Sequence, residues 1–345
     1  MHRWILVTLT ALIAVGVALR YHGDPSPAQQ QTPIGDSRQV VLGREIFRDP
    51  TISDDGKISC ASCHIPANDY SDNKPVSAGV YGRVGTRNAP SLSQINVVDS
   101  NTFFWDGRRQ VLSQAVLDPM TNPVEMGLHD SSQMVQRVRA NPHYVSAFKN
   151  AFGDSSVSEI QIAEVLAAFI RSIPTTESAY DRYAMHNDAA ALDPRAKLGL
   201  DLFNGKAHCA ECHSLKASPA TLTDDRYHRG GVGMDSIQQD LATLTTSVIG
   251  RSLQGADVGN RVATHAGEAQ LGRFNVTLDP ADIGLFRTPS LRDVSKTAPY
   301  MHDGSVPTLE DAIDREVYYR GLQDGRPLNL TVEERRDLKA FLEKL

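Results

Sequence analysis

The chain has 345 residues and a mass of 37.7 kDa, room for two domains of ordinary size. With 41% hydrophobic and 22% charged residues, it can bury a sizeable core and does not read as a disordered chain. A net charge of -6 and an isoelectric point near 6.0 argue against nucleic acid as a partner, and four cysteines are too few for a disulfide scaffold.

Residues 4–19 (WILVTLTALIAVGVAL) form an uncharged apolar run behind His2 and Arg3. A short basic stretch followed by an apolar one is the pattern of an export signal. The run is shorter than the roughly 20 residues of a membrane-spanning helix. No clean cleavage site follows it, Ala18 being the best option. Residues 1–22 are therefore read as either a cleaved signal or a retained N-terminal anchor, which would tether the chain to a membrane through residues 4–19. Either way the rest is exported, to the periplasm. Residues 23–37, rich in Pro, Gln and Ser, read as a flexible tether.

All four cysteines fall in two motifs, Cys60-Ala61-Ser62-Cys63-His64 and Cys209-Ala210-Glu211-Cys212-His213. C-x-x-C-H is the attachment signature of c-type haem. Two thiols add to the two vinyl groups of the porphyrin, and the adjacent His binds the iron. A structural zinc site would not explain a His after each pair, and a thioredoxin-like motif needs only one pair.

The chain repeats itself around these motifs. Leu42-Gly43-Arg44-Glu45-Ile46-Phe47 precedes the first, and Leu198-Gly199-Leu200-Asp201-Leu202-Phe203 the second. Ala89-Pro90-Ser91-Leu92 is echoed by Thr288-Pro289-Ser290-Leu291, and Trp105-Asp106-Gly107-Arg108 by His302-Asp303-Gly304-Ser305. Leu112 and Ala115 recur as Leu309 and Ala312 at a common offset of 197. Two tandem haem domains, 38–190 and 191–345, account for this. The fold class expected is mainly α. Ile160, Ala163, Leu166, Phe169, Ile170 and Ile173 mark one apolar helical stripe. Thr331-x-x-Glu334 predicts a capping box that opens a last helix carrying Leu338, Phe341 and Leu342 on one face. Segment 216–272 reads as an irregular excursion.

With CASCH, RNAPSL, FFWDGR, NPVEMG, CAECH, RTPSLRDV and TAPYMHDGS assembled, the chain resembles the bacterial dihaem cytochrome c peroxidase family, which includes the MauG-type protein-modifying enzymes. The resemblance runs from about Val40 to the C-terminus. It implies two tandem class I cytochrome c-like helical domains with a covalent haem c in each. It also implies reduction of hydrogen peroxide at the N-terminal haem, with electrons passed through the C-terminal haem from a small cytochrome c or cupredoxin. His64 and His213 match the proximal ligands. Trp105 matches a residue that the family places between the haems, and Glu125 matches its distal acid/base. Pro119 and Met120 match distal-pocket positions. Asn88, Thr297 and Pro299 match an interdomain calcium site, whose oxygen donors suit that ion.

Several positions depart from the family pattern. Many members hold a His sixteen residues after the first haem His. Here Val80 stands there, followed by Tyr81, so the first haem is expected to be open without reductive activation. A distal Gln aligns with Ala115, its neighbour Gln114 pointing elsewhere. The sixth ligand of the second haem is Met in the classical peroxidases and Tyr in the MauG type. Tyr318 is expected to fill this role, with Tyr319 or Met301 as alternatives. The MauG-type substrate-facing Trp falls on Ala207. Three functions remain open: a peroxide reductase, a MauG-like oxidase that modifies a partner protein, and a non-catalytic dihaem carrier. The oligomeric state is open too, a homodimer included.

Overall fold

The computed structural model describes residues 37–98, 102–216, 219–323 and 325–345. The expected signal or anchor, and the tether up to residue 36, lie outside the described residues. The fold is helical, as the sequence predicts. Its one named sheet among the described residues is a two-stranded antiparallel pair, Tyr227–Arg229 with Leu285–Arg287. By contacts the described residues form one compact unit. Within it lie two large hydrophobic clusters, one drawn from residues 42–173 and the other from 180–345.

Each large cluster is organised by one helix crossing. In the first, the helix Ser37–Arg48 crosses Glu159–Arg171; in the second, Pro194–Asn204 crosses Val332–Leu342. The repeated Leu-Gly explains how close these crossings are. A Cβ on Gly43 would lie 1.9 Å from the Val165 carbonyl oxygen, and one on Gly199 would lie 2.0 Å from that of Asp337. Only a residue without a side chain lets the two backbones approach this closely. Four residues on, Phe47 meets Phe169 with ring centroids 5.0 Å apart, and Phe203 meets Phe341 at 5.2 Å. Burying each ring contributes about 2 kcal/mol.

The capping box forms as expected. The Thr331 N–H donates to Glu334 Oε2 at 2.7 Å, the Glu334 N–H donates to Thr331 Oγ1 at 3.2 Å, and Leu338, Phe341 and Leu342 are buried. Of the expected stripe, Ala163, Leu166, Phe169, Ile170 and Ile173 are buried, and Ile160 in the first turn is not. Ile160 is 70% exposed, whereas Ile162, Val165 and Ala167 are buried with Ala163 and Leu166. A helix buried this broadly has no single narrow stripe, so periodicity alone misplaced its edge.

Segment 216–272 is not irregular. It carries the helices Leu241–Leu253 and Val258–Thr264 and begins a third cluster built on Ile237, Val248, Leu271 and Phe274. Buried Arg261 pairs with buried Glu268 at 3.3 Å. The segment also grips the first half of the chain: Thr86 Oγ1 donates to the Val262 carbonyl at 2.5 Å, and Arg87 Nη2 to that of Ala269 at 2.6 Å. Just beyond it, Arg273 Nη1 donates to the carbonyls of Asp106 and Gly107.

Replacing Gly199 by Ala should gain about 1 kcal/mol of helix propensity and lose about 3 kcal/mol to overpacking against the Asp337 carbonyl. The net expectation is a lower midpoint of chemical unfolding; an unchanged or higher midpoint would contradict the close-approach account.

Candidate active site

Both motifs open onto one cavity of about 540 Å³. The first occupies a single helical turn, Cys60–Cys63, entered through a capping box between Ser59 and Ser62. The second forms a 3-10 turn, Cys209–Glu211. Such turns bring the two cysteines and the following histidine to the same wall, and all six of these side chains line the cavity.

The histidines are oriented alike. His64 Nδ1 lies 2.9 Å from the Tyr70 carbonyl oxygen, and His213 Nδ1 lies 2.9 Å from that of Leu222. A carbonyl only accepts, so Nδ1 carries the proton and Nε2 keeps its lone pair. Tyr70 and Leu222 both have positive φ, 57° and 55°, uncommon for residues with side chains. Tyr70 packs edge-on against Phe47, and Leu222 is fully buried. Burial lowers the pKa of both imidazoles, that of His213 to about 4, so both rings are neutral at pH 7. All four thiols are free, and burial pushes those of Cys60 and Cys209 up to about 12. Paired thiols, a neutral imidazole with a free Nε2 and mostly apolar walls fit a covalent haem at each motif.

Glu125 faces the cavity on the His64 side. Asn122 Nδ2 donates to Glu125 Oε1 at 2.6 Å. The carboxyl is open to the cavity but ringed by protein elsewhere. This desolvation raises its pKa to about 6, although the nearby Arg108 pulls the other way. Arg108 is itself held by Asp106 at 3.1 Å and Asp118 at 3.5 Å. No motif in the sequence assigns a part to Asn122 or Arg108. Their signal was proximity to NPVEMG and FFWDGR, which does not identify partners across a loop.

Val80 is fully buried, packs against Gly127 and donates its N–H to the Glu125 carbonyl at 2.9 Å. It thus braces the Glu125 loop from behind and stays off the cavity wall. Tyr81 is turned outward, 60% exposed, and its hydroxyl donates to Asp54 at 2.8 Å. Ala115 and Pro119 line the cavity and Gln114 is exposed, whereas Met120 is buried in the first hydrophobic cluster.

Trp105 stands where the halves meet. Its indole N–H donates to the Asn88 carbonyl at 2.9 Å, and its own carbonyl accepts from the Arg287 N–H at 2.8 Å. The Asn88 N–H donates to the His302 carbonyl at 2.9 Å, and His302 stacks on Phe286 at 3.6 Å between centroids. Trp105, Asn88, Thr297, Pro299 and Ala207 all line the cavity.

Tyr318, expected as the sixth ligand, is placed away from the cavity. Tyr318 is 61% exposed and lines a separate surface pocket with Gly321 and Leu322; Tyr319 packs its ring on Gly231. The helix Leu309–Gln323 turns about 200° between positions 316 and 318, so Glu316 and Arg320 face the cavity instead. Of the three side chains expected from the sequence, Met301 alone is on that wall. His228, whose Nε2 lies 2.7 Å from Asp224, also lines the cavity, a pairing that no motif announced.

Residues 37–189 match the family described as di-haem cytochrome c peroxidase. A cytochrome-c peroxidase of Pseudomonas sp. (strain SCT) is 33% identical over 93% of this chain and 84% of its own length. The methylamine utilization protein MauG of Methylorubrum extorquens is 33% identical over 89% of this chain and 78% of its own. The crystal structure of a MauG-like protein associated with microbial copper homeostasis superposes with a TM-score of 0.71 at 30% identity, covering 90% of each chain.

The chain belongs to the di-haem cytochrome c peroxidase family. As a family member it is an oxidoreductase, and the family implies two haem c groups. Among the described residues, no helix is long and apolar enough to cross a membrane.

Mass spectrometry of the protein matured with haem should show a mass increment of two haems. Replacing Cys209 and Cys212 by Ala should remove one increment, and also replacing Cys60 and Cys63 should remove both. An unchanged mass in the first variant would refute attachment at the second motif.

Proposed function

We propose that the protein reduces hydrogen peroxide to water at the haem held by Cys60, Cys63 and His64, using two electrons from a small cytochrome c or cupredoxin. In this reading 38–190 carry the peroxidatic haem, and 191–345 carry the electron-transfer haem at Cys209, Cys212 and His213. The observation that carries it is Glu125, a carboxyl poised near neutrality on the wall shared with His64. When bound, the haem supplies the redox chemistry on peroxide. Glu125, as a carboxylate, takes the proton from one peroxide oxygen and delivers it to the other, which leaves as water. Asn122 holds the carboxylate in place, and the Arg108 guanidinium stabilises negative charge as the O–O bond lengthens. Trp105, fixed at both its indole and its carbonyl, serves as the electron relay between the haems. Asn88, Thr297 and Pro299 would hold a calcium ion. The Asn88 amide nitrogen already donates to the Lys74 carbonyl at 2.8 Å, which leaves its oxygen as the donor for a cation.

A second reading, oxidation of residues on a partner protein, is favoured by the likeness to MauG proteins. Ala207, small and on the cavity wall, speaks against a route through that position. Reduced cytochrome c separates the two: rapid oxidation with peroxide supports the peroxidase, whereas poor turnover with a persistent oxidised spectrum supports the modifier.

Glu125, Asn122 and Trp105 each carry a testable consequence. Glu125 must be ionised to accept the proton, so the peroxide rate should rise with pH through about 6 and then level off. Glu125→Gln should lower that rate by about 10²–10⁴-fold and flatten the profile. Asn122→Ala removes a donor to the ionised form and should move the midpoint to higher pH. A near-normal rate in Glu125→Gln would refute the assigned role. Trp105→Phe should slow steady-state cytochrome oxidation while single-turnover peroxide consumption stays near normal; equal slowing of both would point to a packing role.

A further inference from the structure

We infer that Glu316, not Tyr318, supplies the sixth ligand to the iron that His213 binds, through a carboxylate oxygen. This rests on reading the second pocket as a haem site, and is independent of what that haem does with peroxide.

Helix phase is the first observation. On the helix Leu309–Gln323, the residues Leu309, Ala312, Ile313, Glu316 and Arg320 line the cavity with His213. Their spacing of three and four residues is one face of an α-helix. Tyr318 lies on the opposite side with exposed Leu322. To reach the iron it would need the helix turned by about half a revolution, which would expose Leu309 and Ile313, both members of the second hydrophobic cluster.

The internal repeat agrees. The offset of 197 that matches Leu112 with Leu309 and Ala115 with Ala312 matches Pro119 with Glu316. Pro119 and Glu316 both line the cavity, and Glu316 lies close enough to Cys209 of the second motif to raise its pKa. The position that carries a ring without donor or acceptor in one half carries a carboxylate in the other.

The chemistry of Glu316 completes the case. Its Oε1 faces Gly230, where an added Cβ would lie 3.7 Å away. Among the described residues the carboxylate accepts no hydrogen bond. With the cavity open, Glu316 is exposed; a haem seated there would strip water from a carboxylate that has no protein donor, and that is costly. Coordination to ferric iron, whose porphyrin centre carries a net positive charge, would offset that cost. Arg320, one turn on, adds positive charge beside it, with Nη2 3.2 Å from Cys212 Sγ. Met301 and His228 line the same cavity and are the competing donors, His228 being engaged by Asp224 at 2.7 Å. An anionic oxygen ligand favours ferric iron, whereas a thioether raises the potential.

The test is electron paramagnetic resonance, visible spectroscopy and redox titration of the haem-loaded ferric protein without peroxide. Glu316→Gln should change the spectrum of one haem and leave the other unchanged. Glu316→Met should give that haem a low-spin thioether spectrum and an upward shift in potential. Tyr318→Phe and Met301→Leu should leave both haems as they are. The gained thioether signature decides the matter even if Glu316→Gln loads haem poorly, since a merely structural glutamate would not confer it. The proposal is overturned if a haem-loaded Glu316→Met lacks that signature, or if Tyr318→Phe or Met301→Leu alters the second haem. Loss of peroxidase activity in Glu125→Gln bears on the proposed function alone and leaves this result untouched.

Discussion

Each motif histidine commits its Nδ1 proton to a backbone carbonyl, and the rest of the site follows from that commitment. The Tyr70 and Leu222 carbonyls fix both the tautomer and the plane of the ring, so Nε2 is presented to the cavity as a neutral donor. Both carbonyls belong to residues with positive φ, held there by packing of Tyr70 on Phe47 and by full burial of Leu222. Phe47 in turn packs at the crossing that Gly43 makes possible. A chain of contacts therefore links a glycine in the opening helix to the orientation of the motif histidine. In the second half, Gly199 sets the corresponding crossing, where Phe203 meets Phe341.

The two halves share one cavity, so their alignment is part of the chemistry. The helical segment after the second motif supplies much of it, through hydrogen bonds to Thr86 and Arg87 and through Arg273 to the carbonyls beside Trp105. Trp105 is locked by Asn88 on one side and Arg287 on the other. Glu125 is balanced differently: burial raises its pKa, Arg108 opposes that, and the result sits where the group can both take and give a proton.

Where the sequence was legible, the physics was local. CxxCH places thiols and imidazole on one turn, and the Thr331–Glu334 capping box needs only its own four residues. Leu-Gly preceding both motifs announced a repeat, though not that each glycine seats a facing carbonyl. What failed depended on tertiary context. The Glu159–Arg171 helix is buried around most of its circumference, so the stripe held at Ala163, Leu166, Phe169 and Ile170 but its first-turn edge at Ile160 did not. Segment 216–272 looked irregular because its core is small and completed by Phe274 beyond its end. Asn122 and Arg108 gained significance only through the carboxyl between them.

The Leu309–Gln323 helix shows why residue type is a weaker guide than helical phase. Tyrosine is a plausible iron ligand, and Tyr318 and Tyr319 draw attention for that reason. A helix advances about 100° per residue, so a shift of two residues moves a side chain to the far side. Apolar anchors set the phase, and here Leu309 and Ile313 settle it by joining the second cluster. Once they are buried, position 316 faces inward and position 318 outward, whatever residues occupy them. Burial of two aliphatic side chains is worth about 4 kcal/mol, more than a helix end would recover by exposing them. Packing therefore chooses which side chain the cavity receives, and the chemistry of the second pocket is whatever that residue can do.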